Sequence, residues 1–253
     1  MNICWLEQTE ADVPAANEWL NPNEAIRLAA LRFAKRRADW QLGRWTAKHA
    51  VAACLDLPTD LPALANLEIR AASSGAPEVF LYDQPADISI SLSHSASTAL
   101  CAVAPPATTF GCDLETIEPR SDAFIADYFT VSEQALIQRT SVEERPLLVA
   151  LLWSGKESAL KALHLGLRLD TRCMSVSLDD ECPAFNNSDR WHPLYIRHSG
   201  TPTFEGWWRV QDNLVRTIIS SRGINTRCHP ERSEGPVHLG ARPEVSFRSK
   251  NSS

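Results

Sequence analysis

The sequence predicts an α+β fold of two similar halves, because one order of patterns occurs twice: helix-forming segments first, then a series of short strands. Composition agrees with a packed chain, since 253 residues with 44% hydrophobic and 22% charged side chains can bury a sizeable core. Pro105-Pro106 marks the joint. The expected units are residues 1–106, residues 107–222 and a different segment, 223–253.

The first half opens on a strand-like run, Asn2 to Glu7. Asn21-Pro22-Asn23-Glu24 then offers an N-cap with proline in the first helical turn, so a helix should start there. From Ala25 to Leu55 the chain is rich in Ala, Leu, Arg and Lys and lacks proline, which predicts one long helix or two consecutive ones. Pro58 and Pro62 break the pattern. Strand-like runs follow at Leu67 to Ala71, Val79 to Tyr82, Ile88 to Leu92 and Ala99 to Ala104.

The second half repeats this order more loosely. Thr109 to Leu114 reads as a strand, Ser132 to Gln138 as a short helix, and Val142 to His164 as a longer helix with Pro146 in its first turns. Strand patterns return at Met174 to Leu178, Leu194 to Arg197, Trp207 to Val210 and Leu214 to Ser220, with turn formers between them. Residues 223–253 differ: three prolines, one aromatic residue, and five Lys or Arg against three Asp or Glu, with no apolar period. That segment is expected to be disordered.

Charge and cysteine content exclude several function classes. A net charge of −6 disfavours general nucleic-acid binding, which needs a basic surface. Seven scattered cysteines without a C-x-x-C pair support neither a disulfide framework nor a zinc site. The chain has no apolar run of membrane-spanning length, and its opening residues lack a basic segment followed by an apolar one. A cytoplasmic protein with no membrane partner is the expectation.

Four groups of residues carry chemistry. In Gly111-Cys112-Asp113-Leu114-Glu115, strand alternation points Asp113 and Glu115 to one face. Such a pair either ends a solvated strand or shares a cation, and hard oxygen ligands favour magnesium. In Trp153-Ser154-Gly155-Lys156-Glu157-Ser158-Ala159-Leu160-Lys161, helical spacing places Trp153, Glu157 and Lys161 on one stripe, adding a third carboxylate. Gly155 inside that helix hints at close approach by another group. In Ser91-Leu92-Ser93-His94-Ser95, adjacent side chains point apart and no G-x-S-x-G elbow exists, so Ser93 and His94 suit phosphate hydrogen bonding better than nucleophilic catalysis. In the most basic segment, which also holds Arg32, Lys35 and Arg36, the 7- and 4-residue spacings of Arg37, Arg44 and Lys48 put them on one helix side, suited to a polyphosphate.

In order, the stretches Arg37 to Lys48, Gly75-Ala76-Pro77, Ile90 to Ser95, G-C-D-L-E, Phe129 to Glu133 and W-S-G-K-E-S-A-L-K resemble the ordered motifs of the surfactin-synthetase type of 4′-phosphopantetheinyl transferase. The resemblance covers about residues 1 to 222. It implies a pseudo-dimeric fold, each half a helix packed on a small antiparallel sheet, with coenzyme A in the cleft between them and one chain acting as a monomer. It implies an enzyme of the holo-acyl-carrier-protein synthase type, which moves the phosphopantetheine arm from coenzyme A to a serine of an acyl or peptidyl carrier protein and releases 3′,5′-ADP. Under it, Asp113, Glu115 and Glu157 are expected to hold magnesium, or manganese in its place. Arg37, Arg44, Lys48, Gly75, Pro77, Ser93, His94 and Lys161 are expected at coenzyme A, with catalysis by Glu157 as general base, Lys161 and Asp113. Residues 116–145 are the expected carrier-protein contact. Ala76 departs from the basic residue common at that position. A catalytically silent coenzyme A or nucleotide-binding module, or a magnesium-dependent phosphohydrolase, are the alternatives.

Overall fold

The computed structural model describes residues 3–178, 190–198, 203–221 and 237–239. The first half runs β1 (Cys4–Thr9), α1 (Pro22–Ala29), α2 (Ala34–Cys54), α3 (Leu61–Ala65), β2 (Leu67–Ala71), β3 (Pro77–Leu81), β4 (Gln84–Pro85), β5 (Ser89–Ser95) and β6 (Thr98–Ala104). The second runs β7 (Phe110–Thr116), α4 (Asp122–Tyr128), α5 (Val131–Arg139), α6 (Arg145–Ala162), β8 (Met174–Leu178), β9 (His192–His198), β10 (Phe204–Gln211) and β11 (Leu214–Ser221). The α+β class expected from the sequence is the one observed.

Three sheets form. The first has the order β12-β1-β6-β5, where β12 (Val237–His238) adds in parallel to β1. The second, β7-β11-β10-β9-β8, is antiparallel throughout, and a smaller one joins β2, β3 and β4. β12 belongs to the segment expected to be disordered. Its Leu239 N–H donates to the Trp5 carbonyl at 2.9 Å, so the expectation fails for residues 237–239, while the rest of 223–253 lies outside the described residues.

The basic stretch from Ala25 to Leu55 is two helices rather than one, and an ion pair explains why. Glu24, third residue of α1, reaches Lys48 in α2 at 2.6 Å. On one continuous helix those residues would stand about 36 Å apart, at 1.5 Å per residue. The chain turns back at Phe33, which is extended and caps α2. Asn21 caps α1 through a capping box with Glu24, so a single carboxylate serves both the helix end and the buried lysine.

The second half contains the same device. Thr130 and Glu133 form a capping box on α5, and Glu133 pairs with Lys156 of α6 at 2.8 Å. Glu24 also accepts from the Ile69 N–H in β2, and Glu133 from the Val176 N–H in β8. Lys48 donates to the carbonyls of Trp19 and Leu64; Lys156 donates to those of Tyr128, Thr171 and Met174. Both lysines are fully enclosed, and burial pulls each below the ordinary lysine pKa against the pull of its glutamate. Each bolt ties a helix start, a core helix and a strand together.

Apolar packing then divides into three clusters. One surrounds α2, with Trp19, Trp45, Val51 and Leu64; one surrounds α6, with Phe129, Leu151, Met174 and Phe204. The third, with Trp5, Leu100, Phe110, Cys112, Leu114 and Ile218, lies between the sheets of the two halves. Each such side chain contributes roughly 1.5–3 kcal/mol when fully buried. Arg216 of β11 adds a bidentate link to Glu7 of β1, at 2.5 and 2.6 Å. Among the described residues no helix is long and apolar enough to cross a membrane, and Cys4, Cys54, Cys101, Cys112 and Cys173 are free thiols.

Candidate active site

The site forms where β5 of the first half meets β7 of the second. Serines alternate along β5, so Ser91, Ser93 and Ser95 share one face. All three reach across. Ser91 Oγ accepts from the Cys112 N–H at 3.0 Å, Ser93 Oγ donates to Asp113 Oδ1 at 2.8 Å, and Ser95 Oγ lies 2.9 Å from Thr116 Oγ1. This hydroxyl ladder fixes Asp113 between the halves.

On the other side α6 presses directly on β7. A Cβ at Gly111 would stand 2.0 Å from the Ser158 carbonyl oxygen, so only glycine permits the approach. The closeness lets Lys161 Nζ reach Asp113 Oδ1 at 2.7 Å and the Cys112 carbonyl at 3.1 Å. Gly155 lies earlier on α6, where a Cβ would sit 3.2 Å from Val176 at the far edge of the same sheet. The close approach that its presence in the helix suggested is real, and β8 makes it.

Asp113 is 3% exposed, and its second oxygen, Oδ2, is buried with no hydrogen-bond partner. Glu115 accepts from Arg120 at 3.3 Å and from the Trp153 indole, yet burial and the charge of Asp113 push its pKa up to about 7. Burial and Asp113 also raise Glu157, against the pull of Lys161. Burial disfavours the Lys161 charge, but Asp113, Cys112 and Glu157 outweigh it and hold the ammonium above its ordinary pKa. The stripe of Trp153, Glu157 and Lys161 thus faces the two strand carboxylates, as the spacing predicts. Among the described residues no group of three or more His, Cys, Asp or Glu side chains is drawn close enough to hold a metal ion as it stands. The feature suited to a cation is the orphaned Asp113 oxygen.

Beside this cluster lies a cleft of about 760 Å³. Its lining includes Gly75 and Pro77 of the 72–80 segment, together with Thr108, Thr109, Lys161, His164 and Gly166. Gly75 turns the chain at φ +90, outside the range of ordinary side chains. Lys161 joins cleft and carboxylates, since it lines the first and is bonded to the second.

Two expected donor contacts require correction. Lys48 is 0% exposed and bolted to Glu24, so it cannot touch a ligand. The stripe of Arg37, Arg44 and Lys48 is geometrically sound, but α2 dives from surface to core along its length. Arg37 is exposed, Arg44 is mostly covered beside the Trp40 ring at 5.0 Å, and Lys48 is interior. Ser93 is the second correction: its one hydroxyl proton goes to Asp113, which makes it a positioning residue instead of a phosphate donor. His94 stands half-exposed, 3.9 Å from Asp39, outside the cleft wall.

Sequence reasoning missed Ser91, Arg120, the Trp153 contact to Glu115 and the Glu133–Lys156 bolt. The alternating serines of β5 and the capping-box spacings Asn21 to Glu24 and Thr130 to Glu133 were the available signals.

Residues 109–206 match the family model of the 4′-phosphopantetheinyl transferase superfamily. Over 112 residues the chain is 30% identical to a 4′-phosphopantetheinyl transferase of Bacillus subtilis, covering 44% of this chain and 49% of that protein. The chain therefore spans about half the length of the curated relative it matches. Among solved structures, a holo-(acyl-carrier-protein) synthase from Bacillus anthracis str. Ames in complex with CoA (3′,5′-ADP) aligns with 19% identity and a TM-score of 0.34, over 40% of this chain and 92% of that one. The Helicobacter pylori holo-[acyl-carrier-protein] synthase in complex with coenzyme A gives 18% identity and a TM-score of 0.33, over 41% and 98%. The matched residues 109–206 carry Asp113, Glu115, Glu157 and Lys161, so the similarity to the 4′-phosphopantetheinyl transferase superfamily runs through the candidate site itself.

Proposed function

We propose that the protein transfers the 4′-phosphopantetheine arm of coenzyme A to a serine hydroxyl of an acyl or peptidyl carrier protein, releasing 3′,5′-ADP. The observation that carries this reading is the Lys161–Asp113 pair at the end of a nucleotide-sized cleft, with an unpartnered Asp113 oxygen beside it. Similarity of residues 109–206 to the superfamily supports the reaction class, and the geometry supports the roles.

Coenzyme A enters the cleft with its adenine along Gly75 and Pro77 and its pyrophosphate toward Lys161. An ammonium has three hydrogens, and Asp113 and Cys112 take two, so one remains for a phosphate oxygen. Asp113, Glu115 and Glu157 are the residues that would hold magnesium, and the buried Asp113 oxygen fits a hard cation. When bound, such an ion would supply charge neutralisation for the transferred and leaving oxygens. Glu157, with its raised pKa, takes the proton as the serine oxygen bonds to the β-phosphorus and the bond to 3′,5′-ADP breaks. Lys161 holds a fixed positive charge where negative charge grows on the leaving group.

Val131, Leu136 and Val142 stand exposed on and after α5, within the 116–145 segment, and form the apolar contact for the carrier. The two bolts suggest that residues 1–106 and 107–222 are related by a pseudo-two-fold axis, so that one cytoplasmic chain supplies both cleft walls as a monomer. Intact-mass analysis of apo acyl and apo peptidyl carrier proteins, each incubated with enzyme, coenzyme A and magnesium, tests the transfer. A gain of about 340 Da on a carrier, lost with Asp113→Ala, is the expected result for a metal-assisted step. Coenzyme A binding with no mass gain on either carrier would contradict it.

A further inference from the structure

Residues in the left-handed backbone region mark the cleft unevenly. Tyr82-Asp83, Ala96-Ser97 and Asp212-Asn213 are consecutive pairs between paired strands, where tight turns require positive φ. Asp56 ends α2, away from the cleft wall. The other four, Gly75, Ala107, His164 and Gly166, all line the cleft. His164 is the one among them with a large polar side chain.

His164 follows Leu163, the C-cap of α6, at φ +56, with its N–H on the Lys161 carbonyl and the Leu165 N–H on the Leu160 carbonyl. Glycine suits this end-of-helix position best, because a Cβ is unfavourable there. A side chain retained in such a conformation at a site points to a use for the side chain. The use is legible from the wall's charges. Its ionisable residues are Glu78, Lys161 and His164, and Lys161 is bonded to Asp113 and Cys112. The Ala72 to Pro77 part of the lining offers Ser74 but no cation, and Ala76 is apolar. The imidazole is exposed, three residues beyond Lys161, and so is free to meet a ligand in the cleft.

We propose that His164 is a donor-binding residue, its imidazole hydrogen-bonding a phosphate of the adenosine 3′,5′-bisphosphate part of coenzyme A at the mouth of the cleft. This inference rests on the transferase reading above. It gives the cleft a second phosphate-binding side chain besides Lys161.

Calorimetric titration of 3′,5′-ADP into the wild type, His164→Gly, His164→Asn and His164→Arg tests it, with melting temperatures measured in parallel. The glycine and asparagine variants should melt at or above the wild-type temperature yet bind 3′,5′-ADP about ten-fold more weakly, a loss typical of one charge-assisted hydrogen bond. The arginine variant should recover most of that affinity. Unchanged affinity in the glycine and asparagine variants, with the wild type binding normally, would overturn the role of His164 and leave the transferase reading intact. Failure of the wild type itself to bind 3′,5′-ADP would overturn both.

Discussion

The two core helices, α2 and α6, do the same mechanical work and different chemical work. Each carries an enclosed lysine bolted to a glutamate of a preceding capped helix, and each lysine also holds carbonyls of the surrounding chain. The next residue differs. After Lys156 comes Glu157, which faces Asp113 and Lys161; after Lys48 comes His49, whose ring lies 4.2 Å from that of Trp45. The partner strands differ likewise, because β7 carries Asp113 and Glu115 whereas β1 carries Leu6, Glu7 and Gln8. A charged residue at a repeated position holds the fold, and a charged residue found in one half alone is a candidate for chemistry.

The largest effect expected from breaking this contrast is chemical. Lys161→Ala should lower carrier modification by at least about 100-fold, the usual loss when a fixed charge at a developing anion is removed, while the fold survives because Asp113 keeps its Ser93 hydrogen bond. Steady-state transfer assays and circular dichroism check both parts. Lys48→Met or Lys156→Met should instead cost about 3–5 kcal/mol of stability by leaving a buried carboxylate unpaired. Denaturant titration measures that loss, and an unaltered KM for coenzyme A in the folded fraction of Lys48→Met would separate the bolt from the ligand site.

Smaller effects sharpen the site. Ser93→Ala removes one hydrogen bond to Asp113 and should slow transfer about ten-fold, roughly the 1–1.5 kcal/mol of a single such bond, with little change in KM. Glu115 gives a pH signature. Its folded pKa of about 7 lies above its ordinary 4.5, so the folded state holds its proton more tightly and stability is lost as pH rises from about 4.5 to 7. Melting temperatures in chelator should fall across that window, and Glu115→Gln should flatten the fall.

Much of the architecture was legible because it rests on periodicity. The strands at Leu67–Ala71 and Met174–Leu178 stand where alternation and turn residues put them, and α1 starts at its Asn-Pro signal. The stripe of Trp153, Glu157 and Lys161 followed from helical spacing alone. Lys48 was misread because spacing tells which residues share a helix side and not how deep that side runs. The carboxylate of Glu24, 24 residues earlier, and the carbonyls of Trp19 and Leu64 are what make Lys48 interior. α4 escaped notice because it is short, although Ser121 caps it and Phe124 and Tyr128 pack on Trp153. Ser93 was taken for a ligand contact because β7, its true partner, is distant in sequence.

The central claim is that one of two mechanically similar halves carries the chemistry. Calorimetric titration of coenzyme A in the presence of magnesium tests it most directly. The account predicts one coenzyme A per chain, with binding weakened by Lys161→Ala. Two equivalent sites per chain, or a single site indifferent to Lys161→Ala, would contradict it.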